Sequence, residues 1–336
     1  MRTVEAPFEH VLRMSDDVGI FEHASGSTPE RHHGYCVDDV ARALVVVERE
    51  PRPTQALLEV ADRYLDFVVS AQGPDGRCRN RLGLDRRWHD EPGVEDCWGR
   101  ALWALGTAAA RGRDEPQRDR AAARFALGAS RRSPHLRSMV FAALGAAEVL
   151  AVAPGDKVAR ALLAAAVRAV GRPVRDAAWP WPEPRLAYAN AALAEVLVAA
   201  GELLGDVRAL DDGLHLLGWL LEVQTRDGHL SVVPVGGWAR GEERRCFDQQ
   251  PIEVAALADA CARAWRVAGD DRFSRGVDLA VGWFLGENDT TCALLDPSTG
   301  GGFDGLTPDG CNANQGAEST LAMVATLQHA SDLVRR

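Results

Sequence analysis

Six short polar stretches, each opening an apolar helical run, constrain this chain most: GYCVDDVARAL, GVEDCWGRALWALG, an arginine-headed stretch at Arg137, LAYANAALAEVL, FDQQPIEVAAL and NANQGAESTLAMV. Each places polar residues, acids or amides in all but the Arg137 stretch, in what would be a first helical turn and follows them with an apolar run at helical spacing. The openings fall near Asp38, Glu95, Arg137, Tyr188, Gln250 and Asn314. They lie roughly 40 to 65 residues apart, the length of a helical hairpin with its loop. Six openings at that period predict six hairpins whose polar ends gather at one rim.

The expected pairs run over 38–49 and 55–71, 95–111 and 116–129, 135–152 and 156–170, 186–203 and 207–224, and 250–268 and 271–286. A last helix starts at 314, and a short one near Pro7 to Met14 supplies its partner. Ala and Leu outnumber β-branched residues, which favours helix over sheet. The expected fold is therefore all-α, one closed barrel over residues 1–336, with 1–34 packing on it as a helix and loop. Two returns, SAQGPDGRCRNRL and EVQTRDGHLSVVPVGG, carry Asp-Gly, which suits tight turns between short extended pieces. DPSTGGGFDGLTPDGCNANQG is the longest loop, placed just before the last opening.

A formal charge of −10 and a pI near 5.4 argue against nucleic acid as a partner, because phosphate neutralisation needs a clustered cationic face. Lys157 is the only lysine and sits at a surface helix start, which disfavours Schiff-base chemistry and phosphate-loop binding. The chain has no GxSxG or HExxH motif. No apolar run approaches the ~20 residues that cross a bilayer, and the N-terminus lacks a cationic start with an apolar core. These features predict a cytoplasmic protein with no membrane association. No cofactor is expected, and the oligomeric state is not set by sequence. Seven cysteines without CxxC pairs predict reduced thiols and no disulfides. Cys36, Cys97, Cys246 and Cys311 fall at or just before openings, where small buried thiols are expected rather than a metal site.

The acidic openings, the Q-x-x-DG returns and the aromatic loops together resemble the six-hairpin, or (α/α)6 toroid, carbohydrate-active superfamily. GYCVDDVARAL, EDCWGRALWALG, WPWPEPRLAYANAALAEVL, QQPIEVAAL and NQGAESTLA also resemble bacterial proteins labelled as glycosyltransferase-associated or hypothetical glycosidases. Endo-α-mannanases on this toroid resemble the chain in Asp38 and Asp39. The resemblance implies an oligosaccharide or polysaccharide substrate.

Glycoside hydrolysis needs one protonated and one ionised carboxyl, about 5 Å apart for retention and 6.5 to 9.5 Å for inversion. The candidate acids are Asp38, Asp39, Glu95, Asp96, Glu253 and Glu318. Adjacent Asp38 and Asp39 at a helix start have their proton affinities split by mutual repulsion and by the helix terminus. Asp38 is equally suited to capping, and one of the two to pairing with Arg42. Glu253 and Glu318 occupy capping-box positions as readily as catalytic ones. Asp39 is the chosen catalytic carboxyl, with Glu253 or Glu95 as partner. Candidate substrate contacts are His33, Tyr35, Trp98, Trp181, Glu183, Tyr188, Asn190, Asp248, Gln249, Gln250 and Asn314. Aromatic rings in openings can stack on a sugar face or pin loops to the barrel, while Trp103, Trp219, Trp265 and Trp283 read as core. A sugar epimerase or isomerase, which would lean on His32, His33 and His135, and a non-catalytic glycan-binding toroid are the competing functions.

Overall fold

A computed structural model describes residues 5–334, and among these it contains twelve α-helices: α1 (Glu9–Arg13), α2 (Val37–Arg49), α3 (Gln55–Ala71), α4 (Asp96–Arg111), α5 (Glu115–Ala129), α6 (Leu136–Val152), α7 (Lys157–Val170), α8 (Ala191–Leu204), α9 (Val207–Val223), α10 (Pro251–Ala268), α11 (Asp271–Phe284) and α12 (Ala317–Val334). The fold is the (α/α)6 toroid. The even-numbered helices form an inner ring, α2 against α4 and so on to α12, which returns to pack on α2. The odd-numbered helices lie outside, and short α1 fills the last outer position between α12 and α3.

The sequence explains which helices lie inside. In α6 and α8 nearly every residue is buried, all round the helix. Outer α3, α7 and α11 bury one stripe each and show charged faces to solvent. Inner helices also need small residues where they cross. A methyl group added at Gly106 would overlap the Gly145 carbonyl oxygen, and one added at Gly145 would overlap that of Leu102. Glycine at these positions lets the α4 and α6 backbones touch.

Nine of the ten starts in the five expected pairs fall within one residue of the observed ones, but 186–203 does not begin where alanine-rich spacing placed it, and the last helix starts at Ala317 rather than 314. Arg185–Leu186 instead pairs antiparallel with Trp238–Ala239. Ala189 adopts a left-handed φ of 46°, which breaks the chain direction before α8 begins at Ala191. Both Asp-Gly returns are turns: Thr225–Arg226 pairs with His229–Leu230 across Asp227 and Gly228, and Gln72 bridges Cys78 around Gly76. The strands are otherwise two- or three-residue pairs.

The expectation of no disulfide is corrected, because Cys292 and Cys311 are bonded, with Cα atoms 6.1 Å apart. The cysteines are 19 residues apart, and the long loop between them folds back as two short strand pairs, which even spacing rules cannot foresee. No described helix is long and apolar enough to cross a membrane.

At the C-terminal ends of the inner helices lies an ionic cluster. Arg49 of α2 donates to Asp259 of α10 at 2.8 Å and lies 3.6 Å from Glu148 of α6. Arg111 of α4 reaches Glu148, Arg263 of α10 reaches Glu195 of α8, and His329 of α12 pairs with Asp259. All six inner helices contribute a charged or titratable group, so the narrow end of the ring is tied by charge rather than closed by apolar packing.

Candidate active site

The N-terminal ends of the inner helices open onto a cavity of about 530 Å³. Its walls include six of the residues singled out from sequence: Asp38 and Asp39 of α2, Asp96 of α4, Tyr188, Gln250 and Glu318 of α12. A larger groove, about 880 Å³, lies outside the ring between α9 and α11 and holds none of the helix-opening residues.

Helix α2 starts without any side-chain cap, so neither aspartate is held at the helix terminus. Asp39, 4% exposed, accepts from Arg42 Nη1 at 2.5 Å. The same guanidinium pairs through Nη2 with Glu318 at 2.5 Å, so one cation is shared by two carboxylates. Burial pushes the Asp39 carboxyl up to about 7; Arg42 opposes this, and Glu318, Glu22 and Asp38 reinforce it. Asp38 Oδ1 lies 3.4 Å from Arg100 Nε and makes no hydrogen bond. Asp96 accepts from Ser138 Oγ at 2.9 Å and from the Tyr188 hydroxyl. That contact draws Tyr188, 40% exposed and lying on the loop before α8, over the cavity.

The other sequence candidates lie elsewhere. Glu95 is exposed at the start of α4, outside the cavity walls. Glu253 is buried, accepting from the Ala189 N–H and from Asn190 Nδ2 at 3.0 Å. It therefore caps the start of neighbouring α8 instead of its own helix. Burial raises its carboxyl to about 7 against those donors. Neither of the two expected partners is thus beside Asp39 in the cavity. Asn190, fully buried, accepts from the Ala187 N–H and from Arg137. Glu183 takes a two-pronged contact from Arg137 at 2.9 and 2.8 Å. Gln249, also buried, accepts from Trp283 Nε1 at 2.9 Å and donates to the Cys246 carbonyl. These three residues fasten loops. Asp248 is exposed, away from the cavity walls, and Asn314 accepts from the Gly26 N–H at 3.0 Å.

The aromatic candidates are corrected as well. Trp98 and Trp181 are fully buried and offer no ring face to a sugar. Trp98 follows Asp96 by two residues, on the side of α4 that turns into the protein. Trp181 packs on Trp219, and Trp179 meets both Trp219 and Trp238, so this group pins the loop to α9. Tyr35 is buried, donating to Asp16 at 2.7 Å. His33 is exposed beside Glu30 and meets His23 edge-on; His23, not His33, lines the cavity.

The structure adds walls that were not among the site candidates, Glu22, Arg42, Arg81, Arg100 and Asp304, together with Cys36, one of the thiols expected at an opening. Glu22 comes from the N-terminal loop and pairs with Arg81. Among the described residues, Glu22, Cys36 and Asp39 alone bring ligand-type atoms together, within 4.8 Å of one another. A metal ion there would have to displace Arg81 and Arg42, and it would need a thiolate where burial, with Asp39 and Asp38 beside it, pushes the Cys36 thiol well up. The residues present do not fit a resident metal. They form a buried carboxyl, Asp39, in a cavity that Glu22, Asp38 and Glu318 also line.

No protein-family model matches the chain, and no curated protein matches it. Solved structures do, at low identity. The cellobiose 2-epimerase of Bacillus thermoamylovorans superposes with a TM-score of 0.72 at 10% identity, over 97% of this chain and 96% of that one. The GH76 alpha-mannanase of Bacteroides thetaiotaomicron gives 0.64 at 10% identity, over 97% and 94%. The cellulase Cel9M of C. cellulolyticum gives 0.64 at 9% identity, over 94% and 88%. At such identities these likenesses establish the fold, shared by proteins that hydrolyse sugars and proteins that isomerise them.

Proposed function

We propose that the chain is a carbohydrate-active enzyme that hydrolyses a glycosidic bond in the cavity at the N-terminal end of the ring. The observation that carries this reading is Asp39: a buried carboxyl that keeps its proton to about pH 7 while Asp38, Glu22 and Glu318 line the same cavity. A group with that affinity can protonate a leaving-group oxygen near neutrality. Glu22 replaces Glu95 and Glu253 as the proposed partner, because its carboxylate lies within 4.8 Å of Asp39, close to the separation of retaining pairs. Tyr188 and Gln250 supply an exposed ring and an amide for the sugar. Epimerisation moves a proton at carbon and suits a pair of imidazoles, whereas among the described residues His23 is the only histidine in the cavity walls.

The test is to incubate wild type and Asp39→Asn with manno-, gluco-, galacto- and arabino-oligosaccharides and follow the first anomer by proton NMR. Release by wild type alone, with the variant still folded by circular dichroism, is the expected result. Isomerised but uncleaved sugar, or equal behaviour of both proteins, would overturn the proposal.

A further inference from the structure

Arg100 is the cavity's least satisfied charge. It rises from the second turn of α4, its side chain is 5% exposed, and it lines both the mouth and the narrow lumen beneath. Its guanidinium sits 3.9 Å above the Phe141 ring, itself stacked on Trp103, so the group is fixed in position. Its one ion pair is the 3.4 Å approach of Nε to Asp38. Among the described residues, neither Nη group has a hydrogen-bond acceptor. Arg42, which could have shared a carboxylate with it, is committed to Asp39 and Glu318.

A guanidinium without a protein acceptor at its Nη edge, facing a cavity, keeps its donors available to a ligand there. Its planar fork matches an oxyanion that takes two parallel hydrogen bonds. When Asp39 holds its proton, the cavity walls still carry five carboxylates against three arginines, so the Nη edge of Arg100 is a local cationic spot in an acidic cavity. Burial and the neighbouring Arg42 lower Arg100 to about 10, consistent with a cation that lacks sufficient counter-charge.

We propose that the Nη edge of Arg100 forms an oxyanion subsite at the floor of the cavity, receiving a carboxylate or phosphate that belongs to the sugar substrate or is bound alongside it. The assignment rests on the mouth being the sugar site, but not on hydrolysis taking place there.

Titration calorimetry at low ionic strength tests it, with sodium glucuronate, inorganic phosphate and glucose as probes. None of these contains a glycosidic bond, so the result is independent of the role of Asp39. Wild type should bind glucuronate or phosphate at least ~10-fold more tightly than glucose, the scale of a charge-assisted contact. Preference for glucuronate marks an acidic sugar and preference for phosphate marks a free co-substrate; both support the subsite. Arg100→Gln should abolish the preference while leaving glucose binding in place, and Arg100→Lys should restore part of it. If Arg100→Gln does not fold, the wild-type comparison decides alone. Equal binding of glucose and both anions by wild type, or an anion preference that survives in folded Arg100→Gln, overturns the proposal.

Discussion

Replacing Arg49 by methionine should test whether the ionic cluster at the narrow end holds the ring together. Methionine keeps an unbranched apolar side chain of similar length and removes the guanidinium, with its donors and its place 5.4 Å over the Trp103 ring. The side chains of Arg49, Asp259 and Glu148 are 12%, 7% and 8% exposed, so water cannot replace the lost partner. Removing one member of a buried pair costs about 3 to 5 kcal/mol. His329 still faces Asp259 and Arg111 still faces Glu148, which places the expectation at the lower end, about 3 kcal/mol. For a chain of 336 residues the unfolding entropy is about 0.7 kcal/mol per degree, so Tm should fall by about 4 °C. The pH dependence gives a second check. Burial raises the Asp259 carboxyl, but Arg49 and His329 outweigh it and hold it well below the usual range. A depressed carboxylate contributes stability above its unfolded pKa of about 3.9 and loses it as pH falls. The gap between wild type and variant should therefore be full near pH 7 and narrow on acidification below about pH 4. Scanning calorimetry at several pH values measures both quantities. An unchanged or higher Tm in a folded Arg49→Met protein would refute the view that these charges tie the inner helices. The double variant Arg49→Met/Asp259→Leu should lose less than the sum of the single losses.

Three further outcomes are expected. If Asp39 is the proton donor, kcat/KM should decline as pH rises through about 7, where its carboxyl ionises, and Asp39→Asn should lose that limb together with activity. Gly145→Ala gains about 1 kcal/mol of helix propensity, but its methyl must push α6 away from the Leu102 carbonyl; a net loss of about 2 kcal/mol should appear in the urea midpoint. Reducing Cys292–Cys311 with dithiothreitol opens a 19-residue loop and should lower unfolding stability by up to about 3 kcal/mol, read from denaturation with and without reductant.

The ring was legible in the sequence because each hairpin writes the same local signal: a polar first turn, an apolar body and a capped outer helix such as Asp114, Asp156 or Asp206 preceding α5, α7 and α9. Helical periodicity is a local property, and it located most of the starts closely. The site was only half legible for the same reason. Asp38, Asp39, Asp96 and Glu318 reach the cavity because they lie in first turns of inner helices. Glu95, one residue before Asp96, is exposed outside the walls, and Glu253 crosses to the next helix; neither fate is marked in a single segment. Trp98 and Trp181 sit in polar neighbourhoods of the sequence yet point inward, since a helix turns about 100° per residue and a loop can fold its rings under itself.

Glu22 and Arg100 show what sequence periodicity misses most. Glu22 lies in a loop with no helical pattern, and it reaches Asp39 only because Gly316 and Ala317 of the last opening approach its backbone, Ala317 donating to the Glu22 carbonyl. The N-terminal segment and the last inner helix must therefore meet before the Glu22 and Asp39 carboxyls can face each other. Arg100 sits in the middle of an apolar helical run, where sequence alone suggests a solvated face. Its burial follows from ring closure, which turns that face toward the axis. Both residues that complete the chemistry of the mouth are thus products of closing the toroid, so variants that loosen the α12–α2 seam should lose the function of the cavity before they lose helix content.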